Sequence, residues 1–457
     1  MRTRLTIPTR VTRRDLSYAF ALVVAIAVLL GPLLSGCDSL DDLGAEGGAI
    51  THVAEASAPS GPAPQPTGPG CETGTQSSGA LYEICLPDGG PNDPDGDSND
   101  GTLVVYAHGF VFPQRPLELP TTEGGVNVRE FVTSQGFAYA ATSYYANGLV
   151  DPPKGVKDLR ELITIYTRLY ERPERVLLLG FSNGTLLASH ALEQHPGLFD
   201  GALASCGVHG SYTREVDYLG DLFVVFEHVF PEALGLFGVD VGGPEGINPA
   251  FLASLAREAD RAGVPADLYL AGYLQGVLSD PDNAARTGQL LGVIAATPEI
   301  QAAFVTPAEG VETVIRGVTY NVFATNNVLD VLGGHPYENA DRVYASPFGA
   351  AYDQVLNASI ARYEADAGAR AQLRARFETS GKLRDPFVAL HTPRDPLAPL
   401  WQEALYLEKV GEPSLYDLRV VDGARGGYGH CTFTPEEVES GFDALLSTTN
   451  AVLVPTL

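Results

Sequence analysis

Between residues 80 and 207, short apolar runs alternate with longer stretches in which apolar positions recur every three or four residues. Continuous apolar runs suit strands buried on both faces, and the 3.6-residue recurrence suits helices packed against them. Strands are expected at 80–85, 102–106, 137–141, 176–179 and 201–205, with helices at 128–134, at 156–170 and from 185 to His195-Pro196. Such alternation predicts a mainly parallel sheet covered by helices, an α/β fold. The alternation then stops. Residues 208–384 read as mainly helical, with the clearest periodicity at 222–230, 251–262, 266–278 and 367–379. A strand at 386–390, a helix at 398–410, a strand at 415–421 and a helix at 435–446 resume the pattern. The core is therefore expected in two pieces, 71–207 and 385–457, with 208–384 inserted over the sheet as a helical lid.

The first 70 residues follow another pattern. Arg2, Arg4, Arg10, Arg13 and Arg14 precede an apolar run at 19–34 that Gly31-Pro32 interrupts, which fits a targeting segment at 1–36 better than a spanning helix. The run ends in Leu34-Ser35-Gly36-Cys37, which resembles the bacterial lipobox. That resemblance implies acylation of Cys37 and an exported protein tethered to a membrane of the cell envelope, an ordinary signal peptide or membrane anchor being the alternative. Arg13-Arg14 resembles a twin-arginine signal, from which Asp15-Leu16-Ser17 departs. Residues 37–70, rich in Ala, Gly, Pro and Ser, read as a flexible tether. Asp93, Asp95 and Asp97 have the alternating spacing of a calcium loop, but Ser98 stands where glycine is expected and no Glu closes it. A solvated loop from Asp93 to Asp100 is the favoured reading.

With 457 residues and 45% hydrophobic content the chain can bury a large core. The formal net charge is −27, and removal of 1–36, which carry five arginines and one aspartate, makes it −31. A chain this anionic repels phosphate backbones, so nucleic acid is excluded as a partner and membrane attachment is left to the lipid. Apart from Cys37, four cysteines remain: Cys71, Cys85, Cys206 and Cys431. In an exported chain they permit two disulfides. No Cys-x-x-Cys or His/Cys cluster points to a metal, and no cofactor is expected.

The chemistry centres on Gly180-Phe181-Ser182-Asn183-Gly184, which follows Val176-Leu177-Leu178-Leu179 and precedes a helical pattern. A strand, a sharp turn and a helix around one serine lift its hydroxyl above a sheet, and Gly180 and Gly184 supply the small flanks that such a turn needs. A serine hydroxyl is a poor nucleophile near neutral pH and needs a base, with a third group to orient that base. Of nine histidines, His430 follows the last strand and precedes the last helix, where a loop can return over Ser182. Asp395, just after the strand ending at Leu390, suits the orienting carboxylate, and Asp422 is its rival. His190, His195, His209, His228 and His391 lack metal-ligand spacing and read as packed or exposed.

The order Ser182, Asp395, His430 resembles that of the α/β-hydrolase family, from about 79 to 448, and specifically its exported bacterial esterase-like members with a large helical lid. The resemblance rests also on Tyr106-Ala107-His108-Gly109. It implies an oxyanion hole made by the backbone N–H groups of Phe110 and Asn183, with His108 fixing the loop. Asn183 departs from the commoner methionine or glutamine. His335 and Trp401 are candidates for an acyl pocket. Cys71 and Cys85 flank turn residues where a hairpin bridge is easy, which leaves Cys206 for Cys431. Tannase-like and feruloyl-esterase-like hydrolases resemble this chain in carrying a cysteine after the histidine. Theirs pairs with a cysteine before the serine, where this chain has Phe181, so Cys206 is an inferred partner and two free thiols are the alternative. The implied activity is hydrolysis of a small-molecule, lipid or polymer ester through an acyl-enzyme. A serine peptidase or amidase and an inactive binding protein of the same fold are the alternatives. Oligomeric state is not legible.

Overall fold

A computed structural model describes residues 70–87 and 101–453. The expected targeting segment, Cys37, the tether up to residue 69 and the whole acidic loop at 93–100 lie outside the described residues. Among the described residues no helix is long and apolar enough to cross a membrane.

The apolar runs form one sheet of eight strands: β1 (Cys71–Thr75), β2 (Leu81–Cys85), β3 (Thr102–Ala107), β4 (Ala138–Thr142), β5 (Arg175–Phe181), β6 (Gly201–Ser205), β7 (Phe387–His391) and β8 (Tyr416–Val420). Their spatial order is β1-β2-β4-β3-β5-β6-β7-β8, and only β2 runs against the others. Both faces are covered, so the central strands are apolar throughout rather than alternating. Val105 and Leu178 face a layer with α2 (Pro152–Leu169) and α3 (Asn183–Gln194). Their neighbours Val104, Leu177 and Leu179 face α1 (Val128–Ser134) and, through Val438 and Phe442, the C-terminal helix Pro435–Leu453.

One strand departs from expectation. Residues 71–75, read as preceding the first strand, form β1, with Cys71 directly opposite Cys85 in the register. The segment is short and polar (Cys-Glu-Thr-Gly-Thr), so it carries almost no apolar signal, and the bridge to Cys85 ties it to the sheet edge.

Between β6 and β7 the chain forms α4 (Tyr212–Val229), α5 (Pro249–Ala262), α6 (Ala266–Ser279), α7 (Ala284–Ala296), α8 (Pro307–Leu332), α9 (Ala350–Ser359) and α10 (Ala367–Phe377). They enclose a core of their own, with Leu222, Phe226, Leu274, Ile294 and Val318 fully or almost fully buried. A second, smaller apolar seam joins α8 and α10, through Leu332, Leu373 and Phe377, to Leu149 and Leu186 of the sheet domain. The longest helix among the described residues, α8, did not stand out in the sequence because Gly310, Gly317 and many β-branched residues lower its intrinsic propensity. A capping box between Thr306 and Glu309 starts it. Gly317 is required by packing, since a Cβ there would lie 2.5 Å from Leu222 of α4. After β7 come α11 (Trp401–Lys409), β8 and α12 (Pro435–Leu453).

Candidate active site

Ser182 sits between β5 and α3 with φ 49° and ψ −124°, a conformation that is costly for a residue with a Cβ. Its flanks explain how the turn fits. A Cβ on Gly184 would lie 1.9 Å from the carbonyl oxygen of Ala107, and one on Gly180 would lie 3.1 Å from that of Gly184. The Ser182 N–H donates to Ser205 O at 2.9 Å, which binds the turn to β6.

His430 Nε2 lies 2.7 Å from Ser182 Oγ, and His430 Nδ1 lies 2.7 Å and 2.9 Å from the two oxygens of Asp395. All three side chains are at most 5% exposed. Asp395 Oδ1 also accepts from the N–H groups of Leu397 and Ala398 at 2.8 and 2.9 Å. The rival Asp422 is exposed and does not reach His430; its backbone carbonyl instead accepts from Gly427 N–H. Loops carrying Asp395 and His430 are zipped together by Arg394 N–H to Gly427 O at 2.8 Å and Thr392 Oγ1 to Gly429 O at 2.7 Å.

A serine on a strained strand-to-helix turn, over a sheet in which one strand opposes the rest, is thereby joined to a histidine and an aspartate that follow the last strands. The chain has the α/β-hydrolase fold. No protein-family model matches the sequence, and neither does any curated protein. Among solved structures, feruloyl esterase B from Aspergillus oryzae is similar at 13% identity and a TM-score of 0.43, over 79% of this chain and 74% of that one. Puromycin hydrolase is similar at 14% identity and a TM-score of 0.39, over 83% of this chain but only 38% of that one. An esterase from Pyrococcus furiosus gives 13% identity and a TM-score of 0.37, over 82% of this chain and 90% of that one. The α/β-hydrolase assignment rests on the strand order and the elbow of this chain itself.

In this fold the loop after β3 borders the nucleophile. Here a Cβ on Gly109 would lie 3.1 Å from Ser182 Cβ and 2.3 Å from Glu123 Oε1. Gly109 N–H donates to Glu123 Oε2 at 3.1 Å, and Tyr106 OH donates to the same oxygen at 2.6 Å. Glu123, 4% exposed in a tight hairpin ahead of α1, therefore holds the loop that carries the next N–H, that of Phe110. No sequence signal marked Glu123. His108 is buried behind the loop with its ring 4.3 Å from that of Tyr144, and burial lowers its pKa to about 4. Asn183, first residue of α3, receives a bond from Tyr212 OH of α4 at 3.2 Å, so its side chain links the elbow to the insertion.

Beneath Asp395 lies a second buried layer. His391 Nδ1 meets Glu403 Oε1 at 2.7 Å, and its Nε2 donates to Ala398 O at 2.7 Å while standing 3.8 Å from Asp395 Oδ2. Burial pulls the His391 pKa down, but Glu403, Asp395 and the Ala398 carbonyl together outweigh it and the net direction is upward. Glu403, fully buried, also contacts His209 Nε2 at 3.3 Å and accepts from Tyr416 OH; burial alone would raise its pKa, and the two histidines reverse the direction. Burial pushes the nearby Glu215 of α4 up to about 8, although Gln402 donates to it at 2.9 Å.

Among the described residues two disulfides are present. Cys71–Cys85 joins β1 to β2. Cys206–Cys431, with Cα atoms 5.3 Å apart, ties the end of β6 to the residue after His430. Among the described residues the groupings with metal-ligand spacing, Cys206-His430-Cys431 and Cys71-Glu83-Cys85, contain these bridged sulfurs and have no free thiolate to offer. Trp401 packs against the insertion with the Arg214 guanidinium 4.1 Å over its ring, and His335 Nε2 lies 3.7 Å from Glu245.

Proposed function

We propose that this protein is a serine hydrolase that cleaves carboxylic esters through an acyl-enzyme on Ser182. The observation that carries the reading is the continuous chain Ser182 Oγ, His430 Nε2, His430 Nδ1, Asp395, with 2.7 Å at both junctions and the serine on a strained turn. In the reaction Ser182 Oγ attacks the ester carbonyl as its proton passes to His430 Nε2. Asp395 holds the imidazole with Nδ1–H toward the carboxylate and stabilises the imidazolium. The tetrahedral oxyanion is met by the N–H groups of Phe110 and Asn183, the latter aided by the positive end of α3. His430 then returns the proton to the leaving alcohol. Water, deprotonated by the same histidine, releases the acid in a second round.

The test is a panel of p-nitrophenyl esters beside aminoacyl p-nitroanilides, run on the protein and on Ser182→Ala, with fluorophosphonate labelling of both. Ester turnover and labelling that vanish in Ser182→Ala support the reading. Turnover of anilides alone would make the protein a peptidase or amidase, and silence on every probe would make it a binding protein. We also propose export and lipid anchoring through Cys37, on the lipobox-like sequence alone; Cys37→Ser should move the protein from the membrane to the soluble exported fraction.

A further inference from the structure

Helix α8 runs from the histidine loop to the oxyanion loop. Near its start, Thr313 Oγ1 lies 3.1 Å from Tyr428 OH and that hydroxyl donates to Glu309 O at 2.8 Å, two residues from His430. Fourteen residues later, about 21 Å along a helix, Asn327 Oδ1 accepts from Leu149 N–H at 2.7 Å, in the loop after β4. Between these fixed points Tyr320 and Phe323 meet the oxyanion loop. The Tyr320 ring is 5.5 Å from Phe110 and 5.1 Å from Phe112, Phe112 is 5.6 Å from Phe323, and Phe110 is 5.8 Å from Phe112. All four rings are only partly buried. Phe323 packs against the insertion's core, while Phe110 carries an N–H assigned to the oxyanion.

This apolar sector is short. On the histidine side it gives way to the charged set Arg316, Glu312 and Arg425, joined at 2.9 and 2.8 Å. On the other side stands the polar tie of Asn327. About one turn of α8 separates Tyr320 from Phe323, so the apolar strip that α8 adds beside Phe110 and Phe112 is short compared with a long acyl chain. Rings packed at tilted and edge-on angles 5 to 6 Å apart can add one more ring by the same contacts, which an alkyl chain of equal area cannot match.

We propose that Phe110, Phe112, Tyr320 and Phe323 form the specificity wall of the site and that its substrates are esters bearing a single aromatic ring next to the scissile bond. The inference rests on the ester-hydrolase reading above.

The first measurement is kcat/KM for benzyl acetate and ethyl benzoate against hexyl acetate and ethyl hexanoate, which present similar apolar area without a ring. At least one aromatic ester should exceed its alkyl counterpart by about tenfold. Equal rates, or rates that climb with alkyl length, would overturn the proposal. The second is the same ratio in Phe112→Leu and Tyr320→Leu, which keep apolar bulk and remove a ring. The ratio should fall about tenfold in at least one of them, and a ratio unchanged in both would overturn the wall. The third is inactivation of the unaltered protein by phenylmethanesulfonyl fluoride against methanesulfonyl fluoride, corrected for uncatalysed hydrolysis. It reads the wall without requiring ester turnover or a folded variant. Faster capture of the ring-bearing reagent with no ester turnover would sustain the wall and reject the ester reading; equal capture would reject the wall whatever the esters show.

Discussion

The two sides of the proposed active centre are built by different means. Ser182 is held by its immediate neighbours: Gly180 and Gly184 let the turn close, and the start of α3 follows at once. Asp395 and His430 are held by residues remote in sequence. A buried His391–Glu403 layer lies under the aspartate, backbone bonds zip the two loops, and a disulfide to β6 pins the residue after the histidine. The serine's geometry is set mainly by its own backbone turn, whereas several contacts remote in sequence hold the acid–base side.

The largest effect should come from joining the sides. Ser182→Ala and His430→Ala should each lower kcat by about 10,000-fold, and the double variant should add little, because the residues act as one unit. Additive losses would mean that the 2.7 Å contact is not used. Asp395→Ala should cost about 1,000-fold, with Asp422→Ala near the unaltered rate. A reversal of that ranking would break the assignment of the acid. Replacing Cys206 and Cys431 together by alanine should lower the melting temperature, the bridge contributing about 5 kcal/mol in the chain-entropy model, and should lower kcat more than KM changes. An unaltered kcat would show that the loop zipper alone sets the histidine.

Glu123→Gln tests the serine's side. Its oxygen can still accept from Tyr106 and Gly109, so activity should fall only about tenfold, in kcat rather than KM, and Glu123→Leu should fall further. Equal KM and kcat effects would remove Glu123 from the positioning of the oxyanion loop. The smallest effect concerns pH. Glu215 holds its proton up to about 8 in the fold, while an unfolded glutamate releases it near 4.5. The folded state therefore binds more protons in that window, and the group's contribution to stability falls as pH rises. Glu215→Gln should flatten the decline of melting temperature between pH 5 and 8; a slope unchanged by the substitution would place the Glu215 proton elsewhere.

The same contrast governs what could be read in advance. The strand, turn and helix around Ser182 are legible because five consecutive residues carry the geometry. Asp395 and His430 are legible by position, each following a recognisable strand. Glu123, Glu403 and Tyr212 carry no local signal: each matters through a partner brought near only by the completed sheet or by the insertion. The short strand Cys71–Thr75 and the glycine-bearing α8 escaped for a related reason, since tertiary contacts override weak intrinsic propensity.

The bridge between Cys206 and Cys431 spans 225 positions, and residues 208–384 all fall inside the ring it closes. The two pieces of the sheet domain are thus covalently connected twice, once through the insertion and once through sulfur. A protease that nicks any loop of the insertion leaves a single molecule on a non-reducing gel and two fragments on a reducing one. The nicked form still carries Ser182 on one fragment and His430 on the other, bound across the cut. That makes the insertion a place where the polypeptide can be opened, given new ends or exchanged for foreign sequence while the halves of the proposed catalytic centre stay attached.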